Sequence, residues 1–413
     1  MCERTLTAVK TLNIIRIFLF IAIVTLAVAS SMGCGSKRSQ NDPISPSDGT
    51  PTTQPSDKTG QQPSSKLSGN PVGSAAPNFA GVSNWINSKP LQITDLKGKV
   101  VLIDFWTYTC VNCIRTLPYL REWYQKYSDK GLVIVGVHTP EFEFEKNADN
   151  VAAAAHNYGV NYPIAQDNDY KTWDAFNNRY WPAKYLIDKD GIIRYTHFGE
   201  GNYDETEQKI RELLEGAGGN IGAVTSNPDK GPQPDKRAFS SDPATSLTRE
   251  LYAGFERNSS FFGAYIGNKD YYENPNSQLY YIDPGGHENN FMYLQGLWTN
   301  GRENLTHARE TQNYEDYVAL TFYANSVNVV LEPKTNKPFK VQVTIDGKPL
   351  VADNKGIDVT IDAQGNSYIN VSEPKMYNVV RLHDFGAHDL KLSSNSADFT
   401  IYAFTFGAYP DVP

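Results

Sequence analysis

The pattern of hydrophobic and polar residues along the chain starts with an apolar segment. Residues 17–29 are almost all apolar, and Lys10 and Arg16 precede them. This run is shorter than the about 20 residues that a membrane-spanning helix needs. A basic beginning followed by a short apolar core is typical of a secretory signal, so residues 1–34 are predicted to be a signal peptide.

A polar stretch follows at residues 35–75, rich in Ser, Pro, Gly, Gln and Thr and poor in aliphatic residues. Such a stretch cannot bury enough apolar surface to offset the entropy lost on ordering it. We therefore predict a disordered tether, which with about 40 residues reaches roughly 35 Å.

The next block, residues 76–218, alternates between strand and helix patterns. Residues 99–106 and 132–138 are β-branched runs typical of buried parallel strands. The apolar residues between them recur at helical spacing: Ile114, Leu117, Leu120 and Tyr124. Residues 183–198 predict a hairpin around an Asp-Gly turn, and residues 204–216 predict a closing helix. This block is predicted to be one α/β domain.

A linker rich in Gly, Pro, Asn and Lys is predicted at residues 219–242, and the remaining block, 243–413, contains strand patterns only. Its strand-like runs lie at residues 278–283, 291–299, 318–324, 327–332, 339–346, 377–382 and 398–406. Short strands separated by turn residues predict an all-β jelly-roll sandwich.

Composition and charge narrow the function. The chain has 413 residues and a net charge of −8, and no basic stripe stands out in it, so nucleic acid is not an expected partner. It contains only four cysteines, Cys2, Cys34, Cys110 and Cys113, and Cys2 lies in the predicted signal peptide.

The two cysteines at 110 and 113 are the main chemical feature. Cys110 begins the predicted helix, where backbone N–H groups and the helix dipole stabilise a thiolate. Cys113 lies one turn later, near enough to resolve a mixed disulfide on Cys110. A structural disulfide is an alternative. Half of a zinc site is another, since His138 and His156 could complete it, although no second cysteine pair exists and no metal is expected.

These residues resemble the thioredoxin superfamily. Asp104, six residues before Cys110, matches the buried acid that moves protons to and from the second cysteine, and Pro118 matches the proline of the active-site helix. Trp181-Pro182 matches the cis-proline loop that receives the partner's chain. The alternatives are that Asp104 is a solvated acid at a strand end and that Pro182 is an ordinary loop proline.

Within that superfamily the segments "FWTYTCVNCIRTLPYL" and "HTPEFEFEK" are similar to TlpA-type extracytoplasmic reductases and to the soluble part of DipZ-type proteins. The resemblance implies partner contacts from five residues: Trp106, Val111, Asn112, Trp181 and Pro182. Thr116 stands where many relatives have Glu, and Glu141 or Glu143 is a candidate substitute. No membrane domain that delivers electrons is present in this sequence, so the electron donor is left open.

The end of the signal segment, "AVASSMGC", resembles the lipobox of bacterial lipoproteins, with Ser31 where Leu is usual. This resemblance implies a lipid on Cys34 and an extracytoplasmic protein anchored to the cell membrane or the outer membrane. An ordinary cleaved signal and an uncleaved anchor are the alternatives.

The strand-rich block resembles the C-terminal part of DipZ-type proteins, with "WTNGRE" at 298–303, and that part resembles carbohydrate-binding modules. Sugar rings stack on exposed aromatic rings, which makes five residues glycan candidates: Tyr271, Tyr272, Trp298, Asn300 and Arg302. The alternatives are that these aromatics are core residues and that the domain is a docking or spacing module.

Together the patterns predict an enzyme: a membrane-tethered thiol–disulfide oxidoreductase that reduces disulfides of envelope proteins. It needs no cofactor beyond the Cys110–Cys113 pair, its partners include a membrane electron donor, and polysaccharide is a candidate ligand. One alternative is an adhesion or glycan-binding lipoprotein with the α/β domain as scaffold. The other is a peroxiredoxin-like peroxidase, for which Thr107 fits the motif but Ile103 replaces its proline.

Overall fold

The computed structural model describes residues 69–222, 224–225, 234–258 and 264–409. They form the α/β domain (69–225) and the β domain (234–409), which belong to one compact unit. The predictions for the signal peptide, Cys34 and most of the tether lie outside the described residues. Within the described ranges, no helix is long and apolar enough to cross a membrane.

The α/β domain is built on one six-stranded sheet. Its strands are β1 (Asn84–Ile86), β2 (Val100–Trp106), β3 (Leu132–His138), β4 (Ile164–Gln166), β5 (Ala183–Ile187) and β6 (Ile193–Phe198). Their order across the sheet is β1-β4-β3-β2-β5-β6. β3 pairs in parallel with β2 and β4, whereas β1, β5 and β6 pair antiparallel. The predicted α/β fold is confirmed.

Four helices accompany this sheet: α1 (Val111–Tyr127), α2 (Ala148–Asn157), α3 (Lys171–Ala175) and α4 (Tyr203–Gly216). Helix α1 turns Leu117, Leu120 and Trp123 into the core, while Pro118 lies inside the helix on its exposed side. All seven residues of β2 are buried, because helices and loops cover both faces of the central strands.

The β domain consists of antiparallel strands. They are β7 (Leu251–Tyr252), β8 (Gln278–Tyr281), β9 (Tyr293–Asn300), β10 (Leu305–His307), β11 (Tyr317–Pro333), β12 (Phe339–Ile345), β13 (Lys348–Pro349), β14 (Val359–Ile361), β15 (Ser367–Val371), β16 (Lys375–Ser393) and β17 (Phe399–Gly407). β11 pairs with β9 at its start and with β17 at its end, and β10 pairs with both β9 and β17. The sheet thus closes around its core, and the predicted all-β class is confirmed.

One prediction inside this domain was too short. The runs at 318–324 and 327–332 are a single strand, β11, and register shifts at Ala324/Ser326 and Val327/Asn328 interrupt its pairing with β16. Such bulges bend a strand without ending it.

The two domains share a hydrophobic core. The ring of Tyr402 in β17 lies 5.0 Å from the ring of Phe142 and 4.8 Å from that of Phe144, centroid to centroid. Tyr108 and Met376 belong to the same buried cluster. The β domain therefore packs directly against the loops that surround the cysteine pair.

Polar contacts border this core. The Arg257 guanidinium forms an ion pair with Glu141 at 2.6 Å, and the backbone N–H of Glu143 donates to Glu303 at 2.9 Å. The predicted linker is partly packed as well, since Ile221 is buried. The domain–domain contact thus includes charged as well as apolar groups.

Candidate active site

The cysteine pair lies at the N-terminus of α1, next to the carboxyl end of β2. Cys110 is the N-cap residue, and its Sγ accepts a hydrogen bond from the backbone N–H of Cys113 at 3.3 Å. Cys110 is partly exposed and Cys113 is fully buried, and the two are not bridged. Cys110 is thus the thiol that a partner can reach, and Cys113 is the internal one.

The two thiols differ in their surroundings. Burial raises the pKa of Cys113 well above its usual range, and contact with Cys110 and the nearby charge of Asp104 act in the same direction. Cys113 therefore remains a protonated thiol until a neighbouring group takes its proton.

Asp104 lies in the middle of β2 with no exposed surface. Burial raises its pKa to about 6, although attraction to Lys184 opposes the rise. The interpretation of Asp104 as a solvated strand-end acid is wrong. A carboxyl group that exchanges its proton near neutral pH can serve as a proton acceptor and donor beside a buried thiol.

Lys184 is a site residue that the sequence reasoning missed. It pairs with Asp104 across β2 and β5, and 3.6 Å separates its Nζ from Asp104 Oδ1. Both side chains are completely buried. The available signal was a lysine inside an otherwise apolar strand, two residues after Pro182.

The loop before β5 contains Trp181 and Pro182, two of the partner contacts expected from sequence. Its Trp181–Pro182 peptide bond is cis. Trp181 is partly exposed, its Nε1 donates to the Thr139 carbonyl at 3.2 Å, and its ring packs 4.3 Å from that of Trp173. Pro182 is buried. The loop is therefore held in place from two sides.

A second buried acid, Glu145, supports the residue before Cys110. Its Oε1 accepts from the Thr109 hydroxyl at 2.6 Å and backbone N–H at 3.3 Å, and its Oε2 accepts from the N–H groups of Glu141 and Phe142. Burial raises the pKa of Glu145 to about 7, and the Glu141 charge adds to the rise. Glu145 therefore ties the cysteine loop to the segment that contacts the β domain.

Glu141 and Glu143, which the sequence proposed as substitutes for the glutamate missing at Thr116, have other partners. Glu141 binds Arg257, and Glu143 is exposed and pairs with Lys146 at 2.6 Å. Alternating Glu and Phe in "EFEFEK" gave no signal for which carboxylate turns inward. Thr116 is buried, and its hydroxyl donates to the Cys113 carbonyl at 2.9 Å.

Comparisons with known proteins agree with this geometry. Residues 72–196 match the AhpC/TSA family, and residues 248–407 match a family described as thioredoxin like C-terminal domain. Thiol-disulfide oxidoreductase YkuV of Bacillus subtilis is 30% identical over 138 residues, which cover 33% of this chain and 93% of YkuV. The chain belongs to the thioredoxin superfamily.

Two further relatives of this thioredoxin-superfamily chain extend the comparison. Thiol-disulfide oxidoreductase ResA of Bacillus thuringiensis is 31% identical over 142 residues, covering 34% of this chain and 78% of ResA. Protein DipZ of Mycobacterium tuberculosis is 39% identical over 279 residues, covering 66% of this chain. The match spans only 37% of the length of DipZ.

Three of the five partner contacts expected from the thioredoxin resemblance are contradicted by burial: Trp106, Val111 and Pro182. Trp106 has no exposed surface, and its ring packs edge-on against His138, 5.4 Å between centroids. Gly136 on the neighbouring strand makes room for it, since a Cβ there would lie 2.9 Å from Trp106 Nε1. Val111 is 4% exposed, so it too offers a partner little surface. Asn112 and Trp181 remain partly exposed.

His138 is completely buried at the end of β3. Burial lowers the pKa of its imidazole to about 3, and its Nε2 lies 3.4 Å from the Thr107 hydroxyl. His156 is exposed on α2. In the described part of this thioredoxin-superfamily chain, no group of three or more His, Cys, Asp or Glu side chains is arranged to hold a metal ion.

Arg115 connects the active-site helix to the β domain. Its guanidinium pairs with Glu200 at 3.3 Å, donates to Asn112 Oδ1 at 3.2 Å, and lies 4.8 Å from the centre of the Tyr409 ring. A Cβ on Gly407 would lie 2.7 Å from its Nη2. Gly407 and Tyr409 of the β domain thus lie close to Arg115, which itself contacts Asn112 and Glu200.

The glycan candidates do not form a surface site. Trp298 is completely buried and packs 5.6 Å from Phe399, and Asn300 and Tyr271 are buried with hydrogen bonds to backbone groups. Tyr272 is 39% exposed, and Arg302 is exposed and pairs with Glu256. The prediction that Trp298, Asn300 and Tyr271 contact sugar is wrong, because no ring stacks on a ligand from inside a core.

Proposed function

We propose that the protein is an extracytoplasmic, membrane-tethered thiol–disulfide oxidoreductase that reduces disulfide bonds of envelope proteins. One observation carries the proposal: a partly exposed Cys110 caps α1 while Cys113 is buried one turn later, with the Asp104 carboxyl group close enough to affect its proton. The names of the relatives YkuV and ResA support this class of activity.

The reaction has two steps that balance in atoms and electrons. The Cys110 thiolate attacks one sulfur of the partner disulfide, a Cys110–partner disulfide forms, and the other partner sulfur leaves and takes up a proton. Cys113 then gives its proton to Asp104, attacks Cys110 Sγ and releases the second partner thiol, which is protonated in turn. The partner gains two electrons and two protons, and the pair ends as a disulfide.

Residues around the cysteine pair have separate roles in this reaction. Asp104 holds the Cys113 proton, with Lys184 limiting how far burial raises the pKa of that carboxyl group. Trp181, the partly exposed residue of the cis-proline loop, contacts the partner's extended chain. The Cys110–Cys113 pair is the only redox group that the mechanism needs, and a membrane dithiol donor returns it to the reduced form.

Membrane attachment through Cys34 is part of the proposal and is supported by the sequence around "SSMGC". Polysaccharide is left out of it, since three of the five candidate residues are interior. The β domain enters the proposal as a module that frames the cysteine site.

The deciding measurement is the reduction potential of the Cys110–Cys113 pair in the full chain, equilibrated against glutathione or dithiothreitol buffers. A value near that of thioredoxin, about −270 mV, supports a reductase. A value near about −120 mV contradicts the reductive direction, because such a pair transfers its disulfide to partners instead. A peroxide-consumption assay on Cys113→Ser tests the peroxidase alternative: rapid consumption by Cys110 alone favours it.

A further inference from the structure

The segment at residues 139–145, which follows β3, contacts both loops of the cysteine site. Its Glu145 carboxylate accepts hydrogen bonds from the hydroxyl and the backbone N–H of Thr109, the residue before the first cysteine. Its Thr139 carbonyl accepts a hydrogen bond from Trp181 Nε1 at 3.2 Å in the cis-proline loop. The position of this one segment therefore affects both the cysteine turn and the loop before β5.

Arg257 of the β domain contacts this segment from the outside. Its guanidinium forms an ion pair with the Glu141 carboxylate at 2.6 Å and donates to the Glu141 carbonyl at 3.5 Å. It also lies 5.7 Å from the centre of the Phe142 ring. The N–H groups of Glu141 and Phe142 donate to Glu145 Oε2. Arg257 thus contacts the same two residues that support the buried Glu145 carboxylate.

The backbone that presents Arg257 is itself fixed within the β domain. The neighbouring Asn258 is buried, and its amide group donates to two carbonyls of the preceding residues at 2.6 Å and 3.0 Å. The Arg257 guanidinium lies 4.4 Å from the centre of the Tyr252 ring. The Tyr252 hydroxyl lies 3.0 Å from Glu141 Oε1 and 2.9 Å from Glu250 Oε2. Two side chains of the β domain therefore hold the Glu141 carboxylate.

We propose that Arg257, although it belongs to the β domain, is a positioning residue for thiol–disulfide exchange at Cys110. The inference rests on the proposed function, in which Cys110 is the attacking thiol. Arg257 holds Glu141, and the N–H of Glu141 holds the Glu145 carboxylate. Glu145 in turn holds the residue that precedes Cys110, whose Sγ accepts a hydrogen bond from the first turn of α1. The β domain thereby takes part in setting the geometry of this N-cap.

Removing the Arg257 side chain is expected to weaken the thiolate at Cys110. Arg257→Ala takes the cation away from a Glu141 carboxylate whose side chain is only 10% exposed, so the segment is free to shift. Stabilisation of an N-cap thiolate depends on its place in the first helical turn. Alkylation of Cys110 by iodoacetamide is therefore expected to reach half its maximal rate about 0.5 pH unit higher than in wild type, which is about a threefold change in the thiolate fraction.

The measurement follows the Cys110 peptide of the reduced full chain by mass spectrometry after timed alkylation at a series of pH values. Arg302→Ala is the matched control, because Arg302 lines the same polar cleft as Arg257 but pairs with Glu256 of its own domain. This control is expected to keep the wild-type profile. Arg257→Lys keeps the charge but not the planar fork, and it is expected to recover about half of the shift.

A double-mutant cycle tests the route from Arg257 to the cysteine turn. If Arg257 acts through Glu145, adding Arg257→Ala to Glu145→Gln is expected to move the alkylation profile by less than about 0.2 pH unit further. Fully additive shifts would overturn this route. Urea unfolding of the same variants separates positioning from stability, because a merely structural contact lowers the unfolding midpoint without moving the alkylation profile.

The outcomes distinguish this inference from the proposed function. If wild type does not reduce the small aromatic disulfide dithiobis(nitrobenzoate), the proposed function fails and the inference about exchange fails with it. If wild type reduces it but Arg257→Ala has the wild-type profile, or Arg302→Ala shifts the profile equally, only the inference is overturned. If Arg257→Ala does not fold, Arg257→Lys decides the question, and a wild-type profile in that variant overturns the inference.

Discussion

Asp104 and Lys184 face each other across two neighbouring strands, with 3.6 Å between Oδ1 and Nζ and neither side chain in contact with solvent. Outside this pairing, neither the Asp104 oxygens nor the Lys184 Nζ forms a hydrogen bond in the structure. A charged pair with so few partners is costly to bury, which is characteristic of a functional rather than a stabilising arrangement.

The first prediction concerns stability and pH. Burial raises the pKa of Asp104 from 3.8 to about 6, so between these pH values the folded protein holds a proton that the unfolded chain has lost. The contribution of Asp104 to the free energy of unfolding therefore falls as pH rises through this window. Asp104→Asn lacks this dependence, and its stability relative to wild type is expected to increase by about 2 kcal/mol between pH 4 and pH 7.

Urea unfolding of both full chains at several pH values measures this difference. Asp190→Asn is the control, because Asp190 is exposed and pairs only with Lys189. Parallel stability curves for wild type and Asp104→Asn would contradict the assignment of a shifted carboxyl group.

The second prediction concerns Lys184. Its charge and its contact with Asp104 both lower the pKa of that carboxyl group. Lys184→Met removes both effects, so the pH at which the second chemical step reaches half its maximal rate is expected to move upward. The pH–rate profile of thiol release from a preformed mixed disulfide reports this shift. Lys189→Met, at an exposed position, should leave the profile in place.

The third prediction separates the two thiols. Cys113→Ser is expected to accumulate a mixed disulfide between Cys110 and a peptide disulfide, because the buried resolving thiol is gone. Cys110→Ser is expected to form none at the Cys110–Cys113 site, since Cys113 has no exposed surface. Mass spectrometry of the intact protein detects the adduct. Equal adduct formation by both variants would show that Cys113 is as accessible as Cys110.

The fourth prediction concerns Glu145. Its two oxygens accept hydrogen bonds from Thr109, Glu141 and Phe142, whereas glutamine keeps one accepting oxygen and replaces the other with an NH₂ group that cannot accept. Glu145→Gln is expected to lower the free energy of unfolding by about 1–3 kcal/mol and to slow peptide reduction. Glu143→Gln, at an exposed position, is expected to change stability by less than about 0.5 kcal/mol. Denaturant titration and a reduction assay check both variants.

Local sequence patterns were sufficient to predict the central part of the α/β fold. The β2–α1–β3 unit and the hairpin of β5 and β6 follow from apolar runs, helical spacing and one Asp-Gly turn, all within short stretches of chain. Helix α2 was missed, because only Val151 and Ala155 are buried in it and the apolar stripe is too narrow to register.

Non-local contacts account for the rest. The meeting of Asp104 with Lys184 depends on the register between two strands that are 80 residues apart in sequence. The burial of Val111 and Trp298 likewise depends on which elements cover them, and an aromatic residue in a strand has the same pattern whether it faces a core or a ligand. Sequence spacing therefore identified the cysteine pair but not the second buried acid of the site, Glu145.

The packing of Tyr402 on Phe142 and Phe144 joins residues that are synthesised at different times. All strands and helices of the α/β domain have been synthesised by residue 225. The rings of Phe142 and Phe144 are covered only when Tyr402 is added, roughly 250 residues after Phe144. At about 5–20 residues per second, this face stays uncovered for roughly 10 to 50 seconds. A nascent chain that terminates before Tyr402 is therefore expected to aggregate or to need a chaperone.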